Sequence, residues 1–135
     1  MESELVASHI RSLQAQHLFD VPSSDKHTVK PWFQGKISFS PEVPNLTSNG
    51  FPLLGGRLDY IAGQPAAALV YGRGKHAINV FVVPMTTNVH SNGDEEEGGY
   101  HVTHWAEHGL DYWVVSDTDK ENLDLFGRAY RAATP

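Results

Sequence analysis

Five short runs rich in β-branched and aromatic residues follow one another from residue 55 onward: GGRLDYIAG, PAAALVYG, HAINVFVVP, GYHVTHWA and LDYWVVS. Turn-forming residues separate most of these runs, at 62–65, 72–74 and 108–109. Such short connections require antiparallel neighbours, because a parallel crossover needs about a dozen residues or more. The pattern therefore predicts an antiparallel β-meander of four to five strands.

The N-terminal segment ELVASHIRSLQAQHLF is predicted to be a helix. Its apolar stripe recurs at helical spacing and consists of Val6, Ile10, Leu13 and His17. Pro22 is difficult to accommodate inside a helix and disfavours helical backbone just before it. The helix is therefore expected to span residues 4–20.

A second helix is predicted at the C-terminus. Thr118 followed by Glu121 fits a capping box at its start. The buried stripe expected for this helix consists of Leu123, Phe126 and Tyr130. Together the segments predict an α+β fold, in which the N-terminal and C-terminal helices pack on one face of the meander.

A chain of 135 residues is expected to form a single domain, 1–135. Within it, the helix at 4–20 precedes a body at 27–135. The stretch 86–98 combines turn residues with the acidic block DEEE, whose charges repel one another. We therefore predict that 86–98 is a flexible, exposed acidic loop between two strands.

The composition excludes several classes of function. A net charge of −6, with scattered basic residues, argues against nucleic-acid binding. Cysteine is absent, which excludes disulfides, thiolate catalysis and cysteine-containing zinc sites. The sequence also contains no apolar run of membrane-spanning length and no secretory signal pattern.

The stretch GYHVTHWAEHG carries three histidines and is the most metal-like part of the sequence. If residues 108–109 form the turn of a hairpin, His104 lies opposite Trp113, and His101 points to the other face of the sheet. Such a register does not bring the imidazoles to one metal ion. His104 is therefore interpreted as a structural histidine, and a metal-binding sensor that uses His76, His104 and His101 remains the alternative.

Other chemistry is weakly represented. The sequence has no nucleophile elbow and no phosphate-binding loop, so we predict no enzyme and no cofactor. Paired carboxylates on neighbouring strands, such as Asp59 and Asp111, could flank a scissile bond, but a solvated sheet face explains them better. Four aromatic side chains form a candidate surface for a partner or ligand: Trp32, Phe33, Trp105 and Tyr112.

Several linked blocks, in this order, resemble one known family. They are HTVKPWFQGKISFSP (27–41), GFPLLGGRLDYIAGQPAAALVYGRGKHAINVFVVP (50–84), GYHVTHW (99–105) and GLDYWVVSD (109–117). The family is the extracytoplasmic domain of bacterial transmembrane anti-sigma factors, which regulate extracytoplasmic-function sigma factors. The resemblance covers nearly the whole chain, from about Leu5 to Tyr130.

The resemblance implies a non-enzymatic regulatory role on the periplasmic side of an inner membrane. In that family a cytoplasmic domain holds the sigma factor, a single helix crosses the membrane, and the outer domain receives or relays an envelope signal. The helix at 4–20 would follow the membrane helix that tethers the full-length protein. These residues contain no sigma-binding part, so the partner implied for them is an envelope signalling protein or a protease.

Overall fold

The computed structural model describes residues 2–14, 20–22, 29–85 and 93–134. In chain order the elements are α1 (Glu2–Gln14), β1 (Val21–Pro22), α2 (Val29–Trp32), a short 3-10 turn (Thr47–Asn49), β2 (Leu53–Ile61), β3 (Gln64–Arg73), β4 (His76–Pro84), β5 (Gly93–Glu97), β6 (Tyr100–Glu107), β7 (Leu110–Ser116) and α3 (Lys120–Ala133). Across these described ranges, no helix has the length and apolar character needed to cross a membrane.

The strands form one antiparallel sheet of seven strands in the order β1-β2-β3-β4-β7-β6-β5. The α+β class, the antiparallel sheet and the helix at each end are confirmed. The sheet differs from a simple meander at one connection, because β4 pairs with β7 rather than with the next strand along the chain. This order places β3, β4 and β7, which are buried almost throughout, at the centre of the sheet.

The acidic segment is the clearest difference from the sequence prediction. Gly93–Glu97 is not loop but the edge strand β5, paired with β6. Glu96 lies opposite His101, and its Oε2 is 3.7 Å from the imidazole Nε2. Charged side chains suit an edge strand, since its outer side borders solvent and charge discourages pairing with other chains. Of the rest of the predicted loop 86–98, Gly98 lies in a turn, and 86–92 lies outside the described residues.

The two terminal helices lie on opposite faces of the sheet, which corrects the prediction that both pack on one face. The central strands are apolar at odd and even positions alike, so both faces need a covering layer. The α3 face contains Leu69, Tyr71, Val80, Val114 and Phe126. The α1 face contains Leu5, Ala68, Phe81, Trp113 and Val115.

Aromatic packing dominates the α3 face. The predicted stripe of Leu123, Phe126 and Tyr130 is confirmed, and all three side chains are buried. The Phe126 ring centroid lies 5.1 Å from that of Phe51 and 5.2 Å from that of Tyr71. Burial raises the pKa of both Tyr71 and Tyr130, so each phenol stays protonated. The hydroxyl of Tyr71 donates to the carbonyl of Pro44, and that of Tyr130 donates to the carbonyl of Glu42. These two bonds hold the loop before β2 over the core.

The cap of α3 lies one residue later than predicted. Asp119, and not Thr118, is the N-cap, and its Oδ1 accepts from the backbone N–H of Asn122 at 2.7 Å. We expect Asp119→Ala to lower the free energy of unfolding by about 1 kcal/mol in denaturant titration. Thr118→Val is the matched control, because the hydroxyl of Thr118 has no hydrogen-bond partner among the described residues. A larger loss for Thr118→Val than for Asp119→Ala would restore the predicted cap.

Candidate functional site beneath the first helix

Helix α1 presents an unusually polar face to the sheet. Its buried residues are Leu5, Val6, Ser8, His9 and Ser12. The predicted stripe is therefore rotated: Val6 is buried, but Leu13 is 40% exposed, and His17 lies outside the described residues. Of the predicted span 4–20, the residues up to Gln14 are helical, Asp20 lies in a bend, and 15–19 lie outside the described residues. A helix of this composition docks through hydrogen bonds as much as through apolar contact.

A relay of three buried side chains lies under α1. From β2, Arg57 Nη1 donates to Asn79 Oδ1 on β4 at 2.6 Å. The Nδ2 of the same amide lies 2.5 Å from His9 Nδ1. Because Arg57 occupies the amide oxygen, the NH₂ group of Asn79 faces the imidazole, and His9 Nδ1 must be the acceptor. The geometry therefore assigns the neutral tautomer of His9, with its proton on Nε2.

Two further contacts hold α1 on either side of this relay. Ser8 Oγ donates to Asp59 Oδ2 at 2.5 Å, and the same carboxylate oxygen is 3.3 Å from Arg57 Nη2. One turn earlier, the carboxylate of Glu4 accepts from the backbone N–H of Ala62 at 3.0 and 3.1 Å. The helix is thus tied along its length to β2, the turn after β2, and β4.

Burial sets the charge state of His9. The ring is fully buried, which lowers its pKa from 6.5 to about 4, and the nearby Arg57 guanidinium acts in the same direction. Asp117 opposes these effects but is itself 2.9 Å from His76. Burial also lowers the pKa of Arg57, against the attraction of Asp59. His9 is therefore neutral at pH 7, as the relay requires.

Among the described residues, the apolar part of the α1 interface is small. Leu5 and Val6 are the only side chains of described α1 buried in the apolar core of that face, with Ile10 partly buried at the margin. Burying one aliphatic side chain contributes about 1.5–3 kcal/mol, and a neutral hydrogen bond about 1 kcal/mol net. Polar partners consequently supply a large share of the docking free energy. On the opposite face, the core beneath α3 does not depend on these contacts.

The three candidate metal ligands each face a different carboxylate. His76 is exposed beside Asp117, while His101 contacts Glu96. His104 is buried, with Nε2 3.0 Å from Asp111 Oδ1 and its ring stacked on Trp113 at 4.0 Å. The predicted pairing of His104 with Trp113 is confirmed, with His101 on the other face. Among the residues that the structure describes, no three histidine or acidic side chains are placed to hold a metal ion.

The aromatic partner surface predicted from sequence is not an exposed surface. Phe33, Trp105 and Tyr112 are buried in the α3-side core, which contains most of the large aromatic side chains that the structure describes. Only Trp32 is partly exposed, with Lys36 Nζ 4.6 Å above its ring. This finding leaves no aromatic platform among the four residues.

The carboxylates Asp59 and Asp111 do not form a pair. They lie on β2 and β7, which are separated in the sheet by β3 and β4. Asp111 is only 7% exposed and bonds His104, so its interpretation as part of a solvated face is wrong. Asp59 instead belongs to the α1 interface through Ser8 and Arg57.

Sequence reasoning missed the residues that form the interface, His9, Arg57 and Asn79. One signal was available: Arg57 and Asn79 are polar residues with apolar neighbours inside the strand runs LLGGRLDY and HAINVFVVP. A buried polar residue in a central strand needs a partner, and that partner comes from another element.

Comparisons with known proteins give a limited result. No known protein-family model matches the chain, and no curated protein matches it. Among solved structures, a chain in the complex of Pseudomonas aeruginosa MucA/MucB is similar in structure, with 17% sequence identity and a TM-score of 0.46. The match covers 69% of this chain and 31% of that chain, so this chain spans less than a third of its length. A similarity of this size establishes neither a family nor a function.

Proposed function

We propose that this chain is a non-enzymatic signalling domain, the envelope-side part of a transmembrane anti-sigma factor that controls an extracytoplasmic-function sigma factor. The sequence blocks between residues 27 and 117 support the family. The observation that carries the mechanism is the separate polar docking of α1, which the resemblance places next to the membrane. A histidine-based metal sensor is not favoured, because His76, His101 and His104 each face a different carboxylate.

The structure suggests how such a domain relays a signal. Docked α1 is held by Glu4, Ser8 and His9, while α3 and its aromatic core occupy the other face of the sheet. A disturbance of the polar contacts releases α1 without opening that core. Release exposes the segment next to the membrane to an envelope partner, which by resemblance is a signalling protein or a protease.

The proposal is tested in cells by replacing the gene with an Asn79→Leu variant, which breaks the relay, and measuring transcription from sigma-dependent promoters. We expect transcription to shift several-fold from the wild-type level toward that of a deletion strain. Tyr60→Phe is the matched control, because Tyr60 is 67% exposed on β2 and outside the interface. Sigma-dependent transcription that does not respond even to deletion of the gene would exclude the proposed role.

A further inference from the structure

We infer that the signal class to which α1 responds is acidification, and that protonation of His9 releases the helix from the sheet. This inference rests on the proposed function, because it names what regulates the same interface. It stands on the direction of the hydrogen bonds in the relay from Arg57 through Asn79 to His9. Arg57 donates to the Asn79 oxygen, the Asn79 amide donates to His9, and this last acceptor is a titratable nitrogen.

Protonation of His9 removes that last acceptor. An imidazolium ring carries N–H groups at both positions, so Nδ1–H would face the NH₂ group of Asn79 across 2.5 Å. Two donors cannot share this position. The ring would also bring a positive charge into a buried site that already holds Arg57, which is 2% exposed.

Rotation of the Asn79 amide does not relieve the conflict. Rotation by half a turn would offer the amide oxygen to His9, but it would place the NH₂ group against Arg57 Nη1, now 2.6 Å from the oxygen. Arg57 cannot lose its proton to accommodate the change. The guanidinium therefore fixes the amide, and the amide fixes the imidazole as an acceptor.

Each of the two carboxylates described near His9, Asp59 and Asp117, already has another partner. From β2, Asp59 is bound by Ser8 and Arg57. Beyond β7, Asp117 lies beside His76 of β4. Other described neighbours include the Tyr100 ring of β6, in edge contact at 5.5 Å, and the exposed Arg11 of α1 itself. Strand β5 also packs against α1 and carries the acidic block 94–97, of which Glu96 contacts His101. His9 Nε2 has no hydrogen-bond partner among these described residues.

The expected pH dependence follows from linkage. The pKa of His9 is about 4 when α1 is docked and returns to about 6.5 when the helix is released. A depressed histidine pKa stabilises the docked state fully above pH 6.5 and progressively less as the pH falls toward 4. Between pH 7 and pH 5, the equilibrium constant for docking is expected to fall by about 20-fold.

The test is hydrogen exchange of the whole chain at pH 7 and pH 5, expressed as the protection of α1 amides relative to α3 amides in the same sample. We expect the wild-type ratio to fall by about 20-fold at pH 5. His9→Gln should abolish this fall, because the glutamine oxygen accepts from Asn79 but does not titrate. His108→Asn, at the exposed turn with φ of 52°, is the matched control and should retain the full response.

A second variant tests the direction of the relay. In Asn79→Asp, a carboxylate between Arg57 and His9 accepts from both, so protonated His9 is favoured and α1 should stay docked at pH 5. An acid response that persists in His9→Gln or in Asn79→Asp would overturn the inference and leave the proposed function standing. If α1 and α3 lose protection together in every variant, including Asn79→Leu at pH 7, the separate release of α1 itself fails.

Discussion

Phe126→Ala is expected to lower the free energy of unfolding by about 3–5 kcal/mol and the melting temperature by roughly 10 °C. Phe126 is fully buried under α3 and makes edge contacts with Phe51 and Tyr71. Truncation to alanine therefore leaves a cavity in the core that is lined in part by these two rings. Its ring also lies 5.8 Å from that of Tyr130, whose hydroxyl donates to the carbonyl of Glu42 in the loop before β2. Thermal and urea unfolding followed by tryptophan fluorescence measure this loss.

The neighbouring residue provides the control for this prediction. Leu125 is 41% exposed on the outer side of the same helix, and Leu125→Ala should change stability by less than about 1 kcal/mol. Comparable losses in the two variants would show that the aromatic face of α3 does not hold the fold together.

Asn79→Leu is expected to weaken the docking of α1 by about 2–4 kcal/mol, because it leaves Arg57 Nη1 and His9 Nδ1 buried without their shared partner. The chain can recover part of this cost by releasing α1, since both groups then reach water. Tryptic cleavage after the exposed Arg11 should therefore accelerate by an order of magnitude or more, while Arg128 in α3 stays protected.

An asparagine-to-leucine change on the α3 face of the sheet is the matched control. It separates local release of α1 from a general loss of stability. Asn122 accepts from Arg73 Nε at 3.2 Å near the start of α3, and Asn122→Leu should cost about 1 kcal/mol without speeding tryptic cleavage after Arg11. If Asn79→Leu speeds cleavage at Arg11 and Arg128 equally, the interface under α1 is part of the global core and does not open alone.

Local patterning was sufficient to predict most elements of the fold. The alternation around 108–109 predicted the pairing of His104 with Trp113, because a short turn leaves a strand pair little freedom of register. The spacing of Leu123, Phe126 and Tyr130 likewise predicted the buried face of α3. Both predictions depend only on residues close together in the chain.

The strand order and the pairing of the acidic segment could not be predicted from local patterning. The pairing of β4 with β7 follows from which strands need burial on both faces, and that competition involves the whole sheet. The acidic segment 93–97 becomes strand because an edge position is available beside β6, in spite of its poor β-propensity.

The candidate site was missed for a related reason. The apolar residues of α1 suggested a stripe through Ile10 and Leu13, but the face that docks is chosen by polar partners on β2 and β4. His9, Arg57 and Asn79 are far apart in sequence and become a unit only when the helix crosses the sheet. Periodicity describes apolar faces well and carries little information on a polar one.

The most direct test of a separately releasable α1 is native-state hydrogen exchange of the wild-type chain at neutral pH over a series of low denaturant concentrations. We predict that α1 amides exchange through an opening of lower free energy and weaker denaturant dependence than the amides of β3, β4, β7 and α3. If the α1 amides instead follow the same denaturant dependence and free energy as the central strands, α1 opens only with the whole domain, and the signalling mechanism is contradicted.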